Sequence, residues 1–325
     1  MRPIRFLYWN TDEKNESQEE VLAYVFNSAP APDVVVLGEC LLPLSADFLA
    51  KHGLQEMPYQ LLEQNPQAQR QETQQQRLYF RANCGLQLTH LISEIEAVSP
   101  EPVMLAPGVN SPVPYLARDP RFVARIVLAR LEVDGEPLLL ACVHLPSRRR
   151  GANDEPSLYG AAIRYKTFLL QAGGRPLADF GHRIAVVGDF NMNPFDSGMV
   201  EPQGFFALNN RHVIRQTRDF QFAPEVMFYN PCWALLSDFD PVAPDQAKPS
   251  GSLYFTGAPS KKLYWHLFDQ VVLSYQLANR FVHPELRLVA YPPLRKEAEK
   301  SSREGASYSD HLPLQFTLNF GSDVD

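Results

Sequence analysis

The sequence predicts an α/β fold in which two β-sheets pack face to face and helices cover the outside. Three observations lead to this prediction. Short apolar runs alternate with helical stretches near the N-terminus, a D-G pair joins two long apolar runs in the middle of the chain, and further short apolar runs fill the C-terminal part. The 325 residues contain no linker and no repeat period, so we expect one domain over residues 1–325.

The N-terminal part predicts a strand, a helix and a second strand. The apolar run "IRFLYWN" predicts a strand that ends at Asn10. Residues 17–30 have apolar side chains at helical spacing, with Ser17 and Glu20 at the spacing of a capping box, and prolines at 30 and 32 end this helix. "DVVVLGEC" predicts the next strand. This order is typical of a crossover unit.

The central part predicts a hairpin, a helix and a buried strand. "FVARIVLARLEV" and "PLLLACVHLPS" are joined by Asp134-Gly135, which is a strong signal for a hairpin. Residues 157–174 predict a helix with Ser157 as its cap and a glycine pair beyond its end. The run "IAVVGD" predicts a buried strand, and apolar runs at 250–257, 267–275, 286–291 and 312–320 predict the last strands.

Composition narrows the range of function classes. The chain is 45% hydrophobic and 21% charged, which is typical of a globular protein with a sizeable core. Its net charge is −7 and no tail is strongly basic, which argues against general electrostatic binding of nucleic acid by the whole surface. A local basic patch remains compatible with this charge. The cysteines lie far apart without a CxxC pair, so the sequence suggests neither a zinc cluster nor a disulfide framework. No secretory signal or bilayer-length apolar run is present, so we expect a cytoplasmic protein without a membrane anchor. The sequence gives no sign of an obligate protein partner.

Polar side chains follow the predicted strands at the points where the strands end. Asn10, Glu39, His144 and Asp189 each end an apolar run, and Asn191 comes two residues after the last of these. The carboxyl ends of parallel strands share one edge of a sheet, where functional crevices form. Each residue alone also fits an ordinary turn, cap or core role. Their occurrence in this order at successive strand ends favours a shared site.

Three further polar residues belong to the later strands. Asp269 lies in the apolar run "FDQVVLS", where a buried carboxylate requires a partner. Asp310 and His311 come just before the last apolar run. Carboxylate oxygens are the ligands that Mg²⁺ prefers, and histidine and carboxylate side chains are the usual proton carriers in catalysis.

These short motifs, in this order, resemble the endonuclease/exonuclease/phosphatase superfamily, which is the deoxyribonuclease I-like group. They are "WN" at 9–10, "LGE" at 37–39, "VHLPS" at 143–147, "GDFN" at 188–191, "FDQVVLS" at 268–274 and "SDH" at 309–311, so the resemblance covers nearly the whole chain. It implies a four-layer α/β/β/α sandwich of two mixed β-sheets. It also implies hydrolysis of a phosphoester with a divalent ion, usually Mg²⁺, with Mn²⁺ as the alternative.

The resemblance also implies a role for each residue of the metal and water sites. Glu39 would be the main metal ligand, with Asp310 close to the ion. Asn10 would belong to the same metal site and orient it. Asp189 would position and deprotonate the attacking water, and Asn191 would hold the phosphate.

The histidines would act on the phosphate itself. His311, paired with Asp269, would polarise the scissile phosphate or shuttle a proton. A carboxylate beside His311 would raise its pKa and fix its tautomer. His144 would donate to a non-bridging oxygen or help the leaving group.

Two motifs depart from the family pattern and leave the substrate open. Many relatives have Gln before the glutamate of "LGEC", and the Arg or Asn often found before the aspartate of "YWHLFD" is replaced by other residues. Trp265 and His266 in that stretch are candidates for substrate contacts, with ordinary core and strand roles as the alternatives. An arginine run follows the histidine motif, and a fourth arginine lies on the next helix. The residues that we assign to phosphate or backbone contacts, with a solvated charge run as the alternative, are Arg148, Arg149, Arg150 and Arg164.

Three functions remain open from the sequence. The leading one is a phosphodiesterase or nuclease that acts on DNA or RNA, because the arginine run and the flanking aromatic residues suit a nucleotide chain. The second is a hydrolase of small-molecule or lipid-headgroup phosphates. The third is a non-catalytic binding protein of the same fold, which is disfavoured because every expected polar position holds a competent residue.

Overall fold

The structure is a computed structural model of the chain. It describes residues 2–13, 15–28, 30–40, 42–57, 76–82, 86–90, 104–106, 109–110, 125–147, 155–170, 180, 182–216, 226–238, 248–254, 265–293, 295 and 308–321. The predicted roles of Arg148, Arg149 and Arg150 fall outside these residues.

The strands, in chain order, are β1 (Arg2–Asn10), β2 (Val34–Gly38), β3 (Leu54–Glu56), β4 (Arg77–Arg81), β5 (Leu86–His90), β6 (Met104–Ala106), β7 (Val109–Asn110), β8 (Ile126–Val133), β9 (Glu136–His144), β10 (Ile184–Asp189), β11 (Ala207–Leu208), β12 (Phe228–Tyr229), β13 (Leu253–Tyr254), β14 (Trp265–His266), β15 (Asp269–Ser274), β16 (Arg287–Leu288) and β17 (Leu314–Phe320). The helices are α1 (Asn15–Asn27), α2 (Ala46–His52), α3 (Glu155–Leu170), α4 (Ser197–Val200), α5 (Arg211–Gln216) and α6 (Tyr275–Ala278), with short 3-10 helices at Pro231–Leu236 and His283–Glu285.

Two mixed sheets carry most of the described strands. The six-stranded sheet has the order β16-β17-β1-β2-β4-β3, and the seven-stranded sheet has the order β11-β12-β15-β10-β9-β8-β5. In the first sheet β1 pairs parallel with β2 and antiparallel with β17. In the second, β10 pairs parallel with β9 and antiparallel with β15. The two sheets therefore have the same pattern of strand directions around their central strands.

The sheets pack face to face, as the sequence predicts. Ile4, Phe6 and Tyr8 alternate onto the inner face of β1 and join one apolar core with residues of the second sheet. Phe6 stacks on Phe316 there, with ring centroids 4.9 Å apart.

Helices cover both outer faces. The apolar side of α1 packs on the outer face of the first sheet, where it meets Leu7 and Trp9 of β1. The apolar side of α3 packs on the outer face of the second sheet. These contacts confirm the predicted four-layer α/β/β/α sandwich.

The local predictions are confirmed with changes at the element ends. Asp134 and Gly135 have φ values of 51° and 82°, which is the conformation of a type I′ hairpin turn. The prediction that Ser17 and Ser157 cap their helices is wrong, because α1 begins at Asn15 and α3 begins at Glu155. A proline at 156 favours the earlier start of α3, since its fixed φ suits a first helical turn.

Two of the predicted last strands form only in part within the described residues. Leu253–Tyr254 is a strand within residues 250–254, and Arg287–Leu288 is a strand within residues 286–291. Residues 255–257 of the first apolar run lie outside the described residues. The helices of the described ranges are all too short or too polar to cross a bilayer.

Candidate active site

The site lies at the edge where the central strands of both sheets end. β1 and β2 end at Asn10 and just before Glu39, while β9 and β10 end at His144 and Asp189. The antiparallel strand β15 begins at this same edge with Asp269, which is paired directly with Asp189. β17 begins there too, shortly after Asp310 and His311. Sheet topology therefore brings the predicted site residues of both sheets to one place.

Three side-chain pairs join the two sheets across this edge. Each pair takes one partner from the first sheet and one from the second. The pairs are Asn10 Nδ2 with Asp189 Oδ2 at 3.1 Å, Glu39 Oε1 with His144 Nε2 at 3.3 Å, and His311 Nδ1 with Asp269 Oδ2 at 2.7 Å.

Asn10 lies at the centre of the cluster. Its amide nitrogen donates to Asp189 Oδ2 and also to Glu39 Oε1, at 3.2 Å. Its amide oxygen accepts a hydrogen bond from the backbone N–H of Asp12 at 3.0 Å. This arrangement suits the predicted orienting role of Asn10, because one amide group fixes two carboxylates relative to each other.

The backbone around Glu39 has an unusual conformation. Glu39 has a φ of 47°, in the left-handed region that non-glycine residues rarely adopt. Thr11 holds this turn, since its hydroxyl donates to the carbonyl oxygen of Glu39 at 2.8 Å and its backbone N–H donates to that of Gly38. Such strained residues cluster at functional sites, where the surrounding contacts maintain them.

The turn after β10 positions Asp189 and Asn191. The backbone N–H of Asn191 donates to Asp189 Oδ1 at 2.8 Å, which is the Asx-turn geometry, and Asn191 has a φ of 51°. The Asn191 amide nitrogen donates to the carbonyl oxygen of Leu145 at 2.8 Å. Gly188 allows the close approach of the strands here, because a Cβ at this position would lie 1.8 Å from the carbonyl oxygen of Val143.

The carboxylates of the cluster are crowded and buried. Burial raises the pKa of Asp189 to about 7, with a lowering effect from His311 and a further raising effect from Asp269. Burial likewise raises the pKa of Glu39, although His311 and the hydrogen bond from Asn10 lower it. Both shifts mean that uncompensated negative charge is costly at this edge.

His311 lies between two carboxylates. Burial lowers its pKa, but the charges of Asp269 and Asp310 outweigh this effect and raise the pKa well above its ordinary value. His311 Nε2 is 3.5 Å from Asp310 Oδ1, and Ser309 Oγ accepts the backbone N–H of His311 at 3.0 Å. The structure thus favours the imidazolium form.

The donor set fits a hard divalent cation. One ligand atom from each of Glu39, His144 and Asp189 lies within 4.8 Å of the others, and the same holds for Asp189, Asp269 and His311. Asp269 Oδ1 is buried and accepts no hydrogen bond from the described residues. Carboxylate oxygens in this number suit Mg²⁺ or Mn²⁺, and a cation here would offset the charge that raises the acid pKa values.

The predicted substrate residues within the described ranges have different surroundings. His266 lies beside the site, because its Nδ1 is 3.2 Å from the amide nitrogen of Asn193 in the turn after β10. Trp265 is half-buried and packs edge-on against Tyr254, with centroids 5.0 Å apart. Arg164 is exposed on α3. The substrate contacts of His266, Trp265 and Arg164 all stay predictions.

Sequence reasoning missed Tyr8 and gave Ser309 no role. The Tyr8 hydroxyl accepts the backbone N–H of Asp189 at 3.0 Å, and the Ser309 hydroxyl donates to the carbonyl oxygen of Asn10 at 2.6 Å. The signal for Tyr8 was present, because it lies two residues before Asn10 and therefore on the same face of β1.

Solved structures with low sequence identity have the same fold. The 3′-5′ exonuclease NExo from Neisseria meningitidis aligns at a TM-score of 0.51 and 14% identity, covering 98% of this chain and 100% of the exonuclease. The 3′ phosphatase NExo from Neisseria, bound to a product DNA hairpin, aligns at a TM-score of 0.50 with the same identity and coverage. No protein-family model matches the sequence, and no curated protein matches it either. The chain thus has the fold of the endonuclease/exonuclease/phosphatase superfamily, as its motifs predict.

Proposed function

We propose that this protein is a Mg²⁺-dependent phosphodiesterase that cleaves nucleic acid by attack of water on phosphorus. One observation carries the proposal: the three polar pairs that join the two sheets place carboxylates, an amide and two histidines together at one buried edge. Phosphoryl transfer requires mainly positioning and charge stabilisation, and this set of side chains provides both.

Glu39 and Asp310 are the residues that would hold the ion. Burial is the main cause that raises the pKa of Glu39, and the negative charge of Asp310 adds to it, so a cation beside both carboxylates would be favoured. The bound cation would supply positive charge beside the phosphate and lower the pKa of a coordinated water. Asn10 keeps Glu39 in place through its hydrogen bond to Oε1.

Asp189 would orient the attacking water and accept its proton. Both of its carboxylate oxygens are held, one by the Asn10 amide and the other by the backbone N–H of Asn191. A base fixed at both oxygens cannot rotate, and a fixed base is what general base catalysis requires. The Asn191 amide has a second hydrogen besides the one given to Leu145, and that donor suits a phosphate oxygen.

His311 would offset the charge of the phosphate. Asp269 accepts the Nδ1 proton of His311, and Nε2, which lies 3.5 Å from Asp310 Oδ1, is the ring atom that would face the substrate. As an imidazolium it would stabilise the negative charge on the phosphoryl oxygens in the transition state. His144 lies 3.3 Å from Glu39 and 3.9 Å from Asp189, and it would give its proton to a phosphate oxygen or to the leaving group.

A nucleic-acid substrate is supported by what surrounds these residues. The half-buried ring of His266 packs on the buried ring of Phe268 just before Asp269, with centroids 5.0 Å apart, and a ring held in this way beside a phosphate site suits a base. The 3′ phosphatase of the same fold is bound to a DNA hairpin, which supports the same class of substrate here.

The test is hydrolysis of single-stranded DNA, abasic duplex, RNA and a phosphoinositide, with Mg²⁺, Mn²⁺ or a chelator. We expect metal-dependent cleavage of a nucleic acid, and about 10²- to 10⁴-fold lower turnover for Asp189→Asn, the range for loss of a positioned base. The matched control is Glu132→Gln, which removes a half-buried carboxylate at the far end of β8. Cleavage of the phosphoinositide alone would reassign the substrate, and full activity of Asp189→Asn would reject the site.

A further inference from the structure

An exposed aromatic pair lies on the turn that follows Asp189. Phe195 is 43% exposed, although it is a large apolar residue. Its ring packs edge-on against Trp233 of the 3-10 helix Pro231–Leu236, with centroids 6.4 Å apart. Trp233 is half-buried as a residue, and its indole nitrogen is buried. The two rings therefore form an aromatic surface that water contacts.

The turn that carries Phe195 is held rigidly. The backbone N–H of Asn193 donates to Asp196 Oδ2 at 2.9 Å, and the backbone N–H of Asp196 donates to the carbonyl oxygen of Asn193 at 3.0 Å. The amide oxygen of Asn193 also accepts the backbone N–H of Leu267 at 3.0 Å. The turn is thus closed on itself and fixed to the segment before β15. The Asp196 carboxylate is used inside the turn.

A buried amide network connects this turn to the helix that carries Trp233. Gln270 is fully buried, and its amide nitrogen donates to the carbonyl oxygen of Met192 at 2.6 Å. Its amide oxygen accepts from Asn230 at 2.7 Å. Asn230 in turn accepts the backbone N–H of Cys232 at 3.0 Å, which caps the 3-10 helix. Both rings are therefore mounted on one hydrogen-bonded frame.

The same hydrogen-bonded network is connected to the candidate active site. Phe195 comes four residues after Asn191, so the chain limits their Cα separation to about 14 Å. Asn193, inside the turn, contacts His266 beside the site. If a nucleic-acid strand binds with one phosphate at Asn191, the nucleotides next to that phosphate are therefore within reach of Phe195.

We propose that Phe195 and Trp233 form a stacking site for an unpaired nucleobase next to the cleaved phosphate. This inference rests on the proposed nuclease function and narrows its substrate to single-stranded or locally unpaired nucleic acid. A nucleobase suits the site because it is planar, apolar on its faces and attached to the phosphate that the site holds. A rigid aromatic surface also binds with little loss of side-chain entropy.

The test is a thermodynamic cycle that combines removal of the Phe195 ring with removal of single bases from the substrate. Cleavage of a single-stranded oligonucleotide is compared with that of strands in which one base at a time, near the cleaved linkage, is replaced by an abasic spacer. Stacking of one base on an aromatic ring predicts that Phe195→Ala lowers kcat/KM about 5- to 150-fold on the intact strand. On the one strand that lacks the stacked base, the variant and the parent protein should cleave at nearly equal rates.

The controls separate this inference from structural damage and from the proposed function. Tyr24 lies on the outer helix α1, where its ring is 39% exposed and packs against Tyr291. Tyr24→Ala removes this ring and should leave cleavage unchanged. An equal effect of Phe195→Ala on every strand, or no effect at all, would overturn the stacking site while the nuclease function stands. If the parent protein cleaves no nucleic acid, the proposed function itself fails and the stacking site fails with it.

Discussion

The hydroxyl of Tyr8 offers a sharp test of how the two sheets set the site geometry. Tyr8 is fully buried on the inner face of β1, and its oxygen accepts the backbone N–H of Asp189 at 3.0 Å. Gly38 on the neighbouring strand makes room for it, because a Cβ there would lie 2.6 Å from the hydroxyl oxygen. Burial, together with the charges of Asp269, Asp189 and Glu39, raises the pKa of Tyr8 well above its ordinary value. The group is therefore a neutral hydroxyl.

The substitution Tyr8→Phe removes this acceptor and leaves the rest of the side chain in place. The buried N–H of Asp189 then loses its partner, which lowers the free energy of unfolding by about 1 to 3 kcal/mol. The hydrogen bond from this N–H to Tyr8 holds the end of β10 against β1, so loss of the hydrogen bond lets Asp189 shift. Displacement of a catalytic group by about 1 Å costs up to about 10²-fold in rate, and we expect kcat to fall by about 10-fold or more. KM should change little, because Tyr8 is fully buried and cannot contact a substrate.

The matched control is Tyr79→Phe. Tyr79 is also fully buried and also accepts a backbone N–H, that of Leu44 at 3.2 Å, but it lies on the outer face of the first sheet. Thermal or urea unfolding should show a similar loss of stability in both variants, whereas steady-state kinetics should show a fall in kcat only for Tyr8→Phe. Equal kcat values for both variants would refute the positioning role of Tyr8.

Three further predictions follow from the site. In metal-free protein the pKa of Asp189 is raised to about 7, against 3.8 for a free side chain, so the contribution of this one group to stability is fully present below pH 3.8 and is lost as the pH rises through 7. Asp189→Asn should therefore flatten the fall of Tm between pH 5 and pH 8, measured by melting with chelator. Asp269→Asn should lower the pKa of His311 and move the alkaline limb of the pH profile of kcat/KM to lower pH. Gly188→Ala should yield little folded protein by circular dichroism, because its Cβ would overlap the backbone of Val143.

Much of the fold and of the site could be predicted from local sequence signals. The D-G turn fixes the β8-β9 hairpin because both of its residues adopt positive φ, and the prediction is confirmed at Asp134 and Gly135. The motif residues mark strand ends because a buried apolar run must stop where charged groups begin. Sequence alone therefore predicts which residues reach the shared edge.

The contacts between the sheets could not be predicted in the same way. Which residue of one sheet faces which residue of the other depends on how two twisted surfaces pack, and no local pattern encodes that packing. Tyr8 in an apolar strand is indistinguishable from a core aromatic until Asp189 of the other sheet is placed against it. For the same reason the amide network of Gln270 and Asn230 became visible only in the folded chain.

The matching strand patterns of the two sheets explain why the site is built from pairs. Each sheet has a central strand, a parallel neighbour and an antiparallel neighbour, and each of the three supplies its polar residue at the shared edge. The partners of the three pairs come from corresponding strands of the two sheets, and each pair joins the sheets at the edge of the apolar core. A slide of one sheet over the other by about 1 Å would lengthen all three pairs together, and hydrogen bonds weaken steeply over such a distance. The packing of the core between the sheets, including the stacked Phe6 and Phe316, therefore sets the geometry of the proposed catalytic groups.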